Sequence, residues 1–385
     1  MTELSSMVVK RALQVHGADE AEAFAVRIRG VNSNIKLGNL DVTSSYEEAG
    51  IGIRVVVDKR VGFAFTNHLS FEQVDETVRR AVTLARASPR NERWPGLPGA
   101  YSRYAHVRGT YDEKLASATS EDLISKAKDL LHEISDPRIT LVRAKLGVAT
   151  IRRAVVNSNG VCVVEDGTVS YLFVNVVAGE AGNVSPGVFE YSFRRCGFPD
   201  VTKVVEEATW KALSSLKPVK IESGTCPVIL APKACWSLFR YTLSQALKGD
   251  NAVRGRSPYC GRLGSRVMDE KLSIIDEGTL EGGLNTWSFD DEGVATQRTV
   301  IVSRGVLKGF IYDTYWASLA GTSSTGNAWR LEHPSYTGAP QVDFSNFVIE
   351  PGDVKLDALI SELKEGLLVD DLQGAHSSNP ETGEF

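Results

Sequence analysis

The sequence predicts an α+β protein: an N-terminal region of two helix-plus-antiparallel-sheet units, then a β-rich C-terminal domain with a helix after its first strand. Three observations predict it. The order helix, strands, helix occurs twice, over roughly 4–87 and 120–214, with little identity between the copies. Strands adjacent in sequence mostly pair, which favours antiparallel sheets with helices on one face. From Gly224 onward the composition shifts to short strands and glycine-rich loops. The domains are therefore placed at 1–217 and 218–385.

Residues 4–16 form a helix with Leu4, Met7, Val8, Ala12 and Val15 on one face. From Glu22 to Phe65 come several strands, punctuated by Gly30, Gly38, Gly50 and a turn at Asp58. Ser70 caps a helix with the stripe Val74, Val78, Ala81, Val82 and Ala85, and Pro89 closes it. Residues 89–119 show no period; a connection this long implies a role such as lining a cleft or meeting a partner. Ser120 starts a helix running to about Ile134, more strands follow, and a helix spans Val201–Leu213. NSNG at Asn157–Gly160 and VVDKR at Val56–Arg60 supply residues that tight hairpin turns require. In the second domain TCPVILAP is a short buried strand, NAVRGRSPYCGRLGSRV an Arg- and Gly-rich loop, and Leu356–Leu363 a last helix.

Between that strand and that loop, Pro232–Asp250 has the pattern of one amphipathic helix. Pro232 suits a first turn, and Gly249 supplies a stop after Lys248. Cys235, Leu238, Phe239, Thr242 and Ala246 follow helical spacing, and Arg240, Tyr241, Ser244, Gln245 and Lys248 lie opposite. A protease would carry metal ligands on such a helix, but these positions hold no His and no carboxylate.

The composition excludes some functions. A net charge of -5 and a pI near 5.8 argue against broad attraction to nucleic acid. No run approaches the roughly 20 apolar residues of a membrane span, and the N-terminus lacks the pattern of a leader, so a cytoplasmic protein is expected. Cys162, Cys196, Cys226, Cys235 and Cys260 form no CxxC pair and are expected as reduced thiols rather than metal ligands.

Other candidate motifs have plainer readings. His132 and Glu133 in LHEISD sit where a helix is ending, before Pro137, so a solvated helix end is preferred to a metal motif. FDDEG gathers Asp290, Asp291, Glu292 and Gly293; it is a substrate-contact candidate, with pairing to Arg254, Arg256, Arg262 or Arg266 as the plainer reading. The loop SSTGNAWR could offer backbone N–H groups of Thr325, Gly326 and Asn327 to an anion or peptide carboxylate.

Several stretches in order, GNLDVTSSYEEAGIGIRVVVDKRVGFAFTNHLS with VRRAVTLARAS, then FDDEGVATQRTVIVSRGVLKGFIYD, STGNAWR and NFVIEPGD, resemble the TldD/PmbA family, long labelled modulators of DNA gyrase. The resemblance implies a cytoplasmic metalloprotease system acting on peptides and unfolded segments, built from two homologous subunits. One, TldD-type, carries HExxxH and zinc; the other, PmbA- or TldE-type, lacks the ligands and pairs with it. Setting the family's Gly-Asp on Gly249 and Asp250 puts Arg240, Tyr241 and Gln245 at the ligand, glutamate and second ligand positions. None can do that work: Arg has no lone pair, Tyr is a poor base at neutral pH, and Gln is a feeble zinc ligand. The expectation is a non-catalytic subunit with no cofactor of its own, zinc in a TldD-type partner, and a heterodimer or homodimer that handles peptides. SNPETGEF resembles a stretch that further β structure follows in the family, which would leave a sheet edge unpaired here. Two rivals stand: a metallopeptidase using FDDEG with a histidine such as His333, and a stand-alone homodimeric binding protein. DNA binding ranks last.

Overall fold

The computed structural model describes residues 1–331, 334–377 and 379. Its first part runs α1 (Thr2–Gln14), β1 (Glu20–Lys36), β2 (Asn39–Val57), β3 (Arg60–Thr66), α2 (Phe71–Ala87), α3 (Glu113–Ala116), α4 (Ser120–Glu133), β4 (Ile139–Asn157), β5 (Cys162–Glu180), β6 (Asn183–Val184), β7 (Val188–Arg194) and α5 (Val201–Ser214). Ser70 caps α2 as expected, its hydroxyl accepting from the Gln73 N–H. α4 is capped by Thr119 rather than Ser120: Thr119 and Asp122 form a reciprocal capping box. The β2–β3 turn holds Asp58 and Lys59 at φ 48° and 59°, left-handed values that suit a two-residue hairpin.

The two units are not separate sheets. β1 pairs antiparallel with β4 from Glu22–Asn157 to Lys36–Arg143, fusing both copies into one seven-stranded sheet. Strand alternation then sorts the side chains. Ala21, Ala23 and Ala25 of β1 pack beneath α1 and α2, and Ile35, on the same face, joins the core under α4 and α5. Phe24 and Val26 point to the other face, against Phe289 and Tyr336 of the C-terminal domain. The long connection follows this boundary: Trp94 donates to Glu20, Asn157 to the Pro98 carbonyl, and Tyr104 to the Gly293 carbonyl.

The C-terminal domain runs β8 (Val228–Leu230), α6 (Pro232–Tyr241), α7 (Leu243–Ala246), α8 (Gly249–Val253), β9 (Ile274–Glu277), β10 (Arg298–Ser303), β11 (Val306–Leu307), α9 (Thr314–Ala320), β12 (Ala328–Trp329), β13 (Gln341–Val342), β14 (Phe347–Ile349), α10 (Leu356–Glu362) and β15 (Leu367–Val369). A four-stranded sheet, β11-β10-β9-β14, encloses its core with Leu247, Ile301 and Ile311. Three expectations are corrected. β8 is not buried: Val228 is 49% exposed, and the strand pairs in parallel with β15. Pro232–Asp250 is not one helix: the backbone breaks at Thr242 (φ -120°, ψ -81°). Gly249 is no terminator either. It opens α8 pressed so closely on Tyr312 that a Cβ would lie 2.1 Å from that ring, so close approach is what requires glycine there. No helix among the described residues is long and apolar enough to cross a membrane.

Candidate functional site

Two constellations are built from the expected residues. The first is buried at the junction of the domains. Phe289–Gly293 forms a tight turn, with the Asp290 N–H donating to the Val294 carbonyl and Gly293 at φ 80°. Asp290 accepts from the backbone of Glu292, Val294 and Ala328, so its carboxyl organises the turn itself. Asp291 accepts from Arg153 at 2.9 Å and from the Arg330 N–H at 2.8 Å. Glu292 accepts from Arg54 at 2.8 Å and from the Thr314 N–H at 3.1 Å. Arg54 also reaches Glu22 at 2.5 Å, and Glu22 accepts from Arg330.

The partners expected for these carboxylates are corrected. Arg54 and Arg153 come from the seven-stranded sheet and Arg330 from the end of β12, not from the Arg-rich loop. Within that loop Arg254 pairs with Asp250 and Arg266 with Glu270, while Arg262 donates to the Arg266 carbonyl. The plain reading, charge pairing, describes the chemistry. The Arg153 guanidinium also donates to the Phe289 carbonyl and lies 4.3 Å from the Trp287 ring centre. Arg195 stacks on the same indole and donates to the carbonyls of Thr110, Thr168, Leu284 and Thr286.

Burial sets the charge states. It pushes Glu22 and Asp290 up, Asp290 further because Glu292 is close. Burial also opposes ionisation of Glu292, but Arg54 and hydrogen bonds from Thr314 outweigh it and hold this carboxyl below its usual value. Asp313, which caps α9 through the Trp316 N–H, is raised to about 7 by burial and then by Glu292. Asp290, Asp291 and Glu292 thus sit inside the molecule with their oxygens engaged by the protein, and Gly293 packs against Val161. Thr325, Gly326 and Asn327 form a neighbouring turn. Thr325 donates to the Asn327 side-chain oxygen, and the Asn327 amide donates to Asp276 and to the Asp343 carbonyl. His333, suggested as a companion of FDDEG, lies outside the described residues.

The second constellation is on α6, at a groove of about 1000 Å³ lined by Trp236, Phe239, Arg240, Phe193, Arg194 and Phe347 among others. Arg240 donates to both oxygens of Asp343 at 3.1 Å, and Lys248 reaches the same carboxylate at 3.1 Å. Burial opposes the Asp343 charge; Lys248 and Arg240 prevail and keep the carboxyl low. On a regular helix two residues five apart point about 140° from each other. The break at Thr242 changes this: the Gln245 side chain folds back and donates to the Arg240 carbonyl at 3.2 Å, beside the Ser244 hydroxyl. Tyr241 stands edge-on to Trp236, with ring centres 6.5 Å apart. These groups do not fit zinc, since a cation already paired with carboxylate stands at the first ligand position. Among the described residues no three His, Cys, Asp or Glu side chains are disposed to hold a metal ion.

Sequence reasoning missed Arg54, Arg153, Arg330, Glu22 and Asp343. A signal existed for the first two, each a charged residue embedded in an apolar strand run (GIRVVV, IRRAVV) and therefore requiring a buried partner. Asp343 carried none.

Comparison with known proteins completes this picture. Models of PmbA/TldA metallopeptidases match the chain as domain 1 over 21–85, as central domain over 113–216 and as C-terminal domain over 223–385. An uncharacterized protein of Methanocaldococcus jannaschii is 32% identical over 372 residues, 95% of this chain and 82% of that protein. A metalloprotease of the same organism is 27% identical over 379 residues, 93% of this chain and 79% of its own length. The crystal structure of TldE from Thermococcus kodakarensis matches with a TM-score of 0.89 at 31% identity, covering 98% of this chain and 84% of that one.

Proposed function

The chain belongs to the PmbA/TldD metallopeptidase family, and from that premise we propose that it is a non-catalytic subunit of the PmbA/TldE type, which pairs with a TldD-type subunit and helps it capture peptides. The observation that carries this reading is the cluster in which Arg240 of α6 and Lys248, just before α8, share the Asp343 carboxylate. A guanidinium held on a carboxylate offers no lone pair to a metal, and Gln245 spends its amide on the Arg240 carbonyl. Zinc and the cleavage step therefore belong to the partner. This chain's share is the groove beside α6, whose aromatic lining and β14 edge, unpaired among the described residues, suit an extended peptide. We place the pair in the cytoplasm on the strength of composition and the scattered, unpaired cysteines.

Peptide cleavage and zinc content measured for the purified chain, for its HExxxH-bearing homologue from the same genome, and for the mixture test this reading. The expected result is zinc and activity with the homologue or the mixture, and neither with this chain alone. Stoichiometric zinc and cleavage by the chain alone would overturn it.

A further inference from the structure

Residues 344–349, which end in β14, line the peptide groove together with α6. Their hold comes from behind the groove. Asp276 of β9 is 1% exposed, and one of its oxygens accepts from the Ser345 N–H at 2.8 Å and from the Asn346 N–H at 3.1 Å. The other accepts from the Asn327 side-chain amide at 2.7 Å. Asn327 is fixed in turn, since Thr325 donates to its side-chain oxygen and its amide also donates to the Asp343 carbonyl. The turn Thr325–Asn327, read from the sequence as a source of backbone donors for an anion, thus spends its side chains on the wall of the groove.

The ladder shows what that hold positions. The Glu277 N–H donates to the Asn346 carbonyl and the Glu350 N–H to the Ser273 carbonyl, each at 3.0 Å. In an antiparallel pair such bonds recur at every second residue. Asn346, Val348 and Glu350 therefore face β9, and the N–H and C=O groups of Phe347 and Ile349 face the edge that no described strand pairs. One bond of the ladder is rerouted where the strand begins: the Asn346 N–H goes to Asp276, and the Glu277 carbonyl accepts from the Asn346 side chain at 2.9 Å instead. The Asp276 carboxylate thereby sets the direction in which the edge leaves Ser345.

We propose that Asp276 is a positioning residue for peptide capture: its ionised carboxylate holds residues 344–346 so that Phe347 and Ile349 present their backbone groups to the peptide, and its protonation loosens that wall. The proposal rests on the peptide-capture reading of the groove. The shell around the carboxylate is built for the ionised form. All three groups on it are donors, so a proton on either oxygen displaces one of them. Its cross-strand neighbours, Thr299 of β10 and Phe347 of β14, carry no charge. The charged groups around it are paired elsewhere, Glu277 with Arg298 and Asp343 with Arg240 and Lys248. Among the described residues no cation pairs with Asp276, and burial pushes its carboxyl up to about 7 against the hydrogen bonds that lower it.

The test compares the full chain at pH 6 and pH 8. The probe is a tetramethylrhodamine-labelled, end-blocked dodecapeptide of valine, threonine and glutamine, which carries no group titrating in that range. Its binding to the wild-type chain should be about tenfold weaker at pH 6, because the ionised fraction of Asp276 falls from about nine-tenths to about one-tenth. Hydrogen-exchange protection factors across 344–347 should fall at least fivefold over the same step, a readout that needs no variant. Asp276→Asn sets an amide N–H against the Asn327 amide or the wall N–H groups, and should bind about tenfold more weakly than wild type at pH 8 with a flat pH profile. Asp313→Asn removes another buried carboxyl raised to about 7 and should keep the wild-type profile. A purely structural role moves the other way: the folded state holds the Asp276 proton more tightly than the unfolded state, so stability is lower at pH 8 than at pH 6, whereas binding should be tighter at pH 8. Binding by the wild-type chain that is flat with pH, unchanged protection across 344–347, or a wild-type profile in Asp276→Asn overturns the positioning role and leaves the groove reading standing. No peptide binding at either pH overturns both.

Discussion

Glu292 and Asp313 share one buried cluster, yet their carboxyls are shifted in opposite directions. Glu292 has Arg54 beside it and ionises readily, and that negative charge, added to burial, holds Asp313 at about 7. An unfolded aspartate titrates near 3.9. The folded state therefore binds the Asp313 proton more tightly than the unfolded state between about pH 4 and 7, and stability falls as pH rises through that window. Asp313→Asn keeps an acceptor for the Trp316 N–H and removes the titration. Urea unfolding at pH 5 and pH 8 should show wild type losing roughly 2–3 kcal/mol more than the variant over that interval; equal losses would refute the assignment. Arg54 is the complementary case. Arg54→Met leaves Glu22 and Glu292 buried without their shared cation, and its expected cost is about 3–5 kcal/mol in the same assay.

On the scale of elements, the break between α6 and α7 matters most. It brings Gln245 back to the Arg240 carbonyl and leaves the Arg240 guanidinium for Asp343. Because Arg240 is 40% exposed, the pair is only weakly stabilising, and Lys248 still neutralises Asp343 when it is removed. Arg240→Ala should thus cost under about 1 kcal/mol and leave kcat of the reconstituted pair within about threefold, any loss falling on KM because Arg240 lines the groove; a hundredfold loss of kcat would make this position part of the chemistry. The elements differ in how far the sequence revealed them. α2 was legible because its apolar stripe and its Ser70 cap agree, and the β2–β3 hairpin because its turn residues accept positive φ. The break at Thr242 was not, since Leu243, Ala246 and Leu247 continue the helical spacing across it. Gly249 misled because a stop signal and a close-packing glycine are the same letter. FDDEG was legible as a cluster of charge but not as an interior one, because its cations lie 138 residues (Arg153–Asp291) and 238 residues (Arg54–Glu292) away in sequence.

At the scale of the whole molecule, two devices tie the chain together. The β1–β4 pairing makes one sheet of the two N-terminal units, and Arg54 and Arg153 extend from that sheet into the turn that organises the C-terminal domain. Arg153 is the stronger tie, since its guanidinium meets Asp291 and the Phe289 carbonyl while lying over Trp287, all without exposure to water. Neither domain can then unfold without stranding buried charge in the other. Scanning calorimetry of the wild-type chain should accordingly give one endotherm, with calorimetric and van't Hoff enthalpies agreeing. Arg153→Met fills similar space but removes the guanidinium from Asp291 and from the indole. The expected outcome is a C-terminal transition about 3–5 kcal/mol less stable that separates from that of the sheet. Two endotherms in the wild-type chain, or one unshifted endotherm in the variant, would show that the apolar contacts of Phe24, Val26 and Phe289, rather than the buried ion pairs, couple the domains.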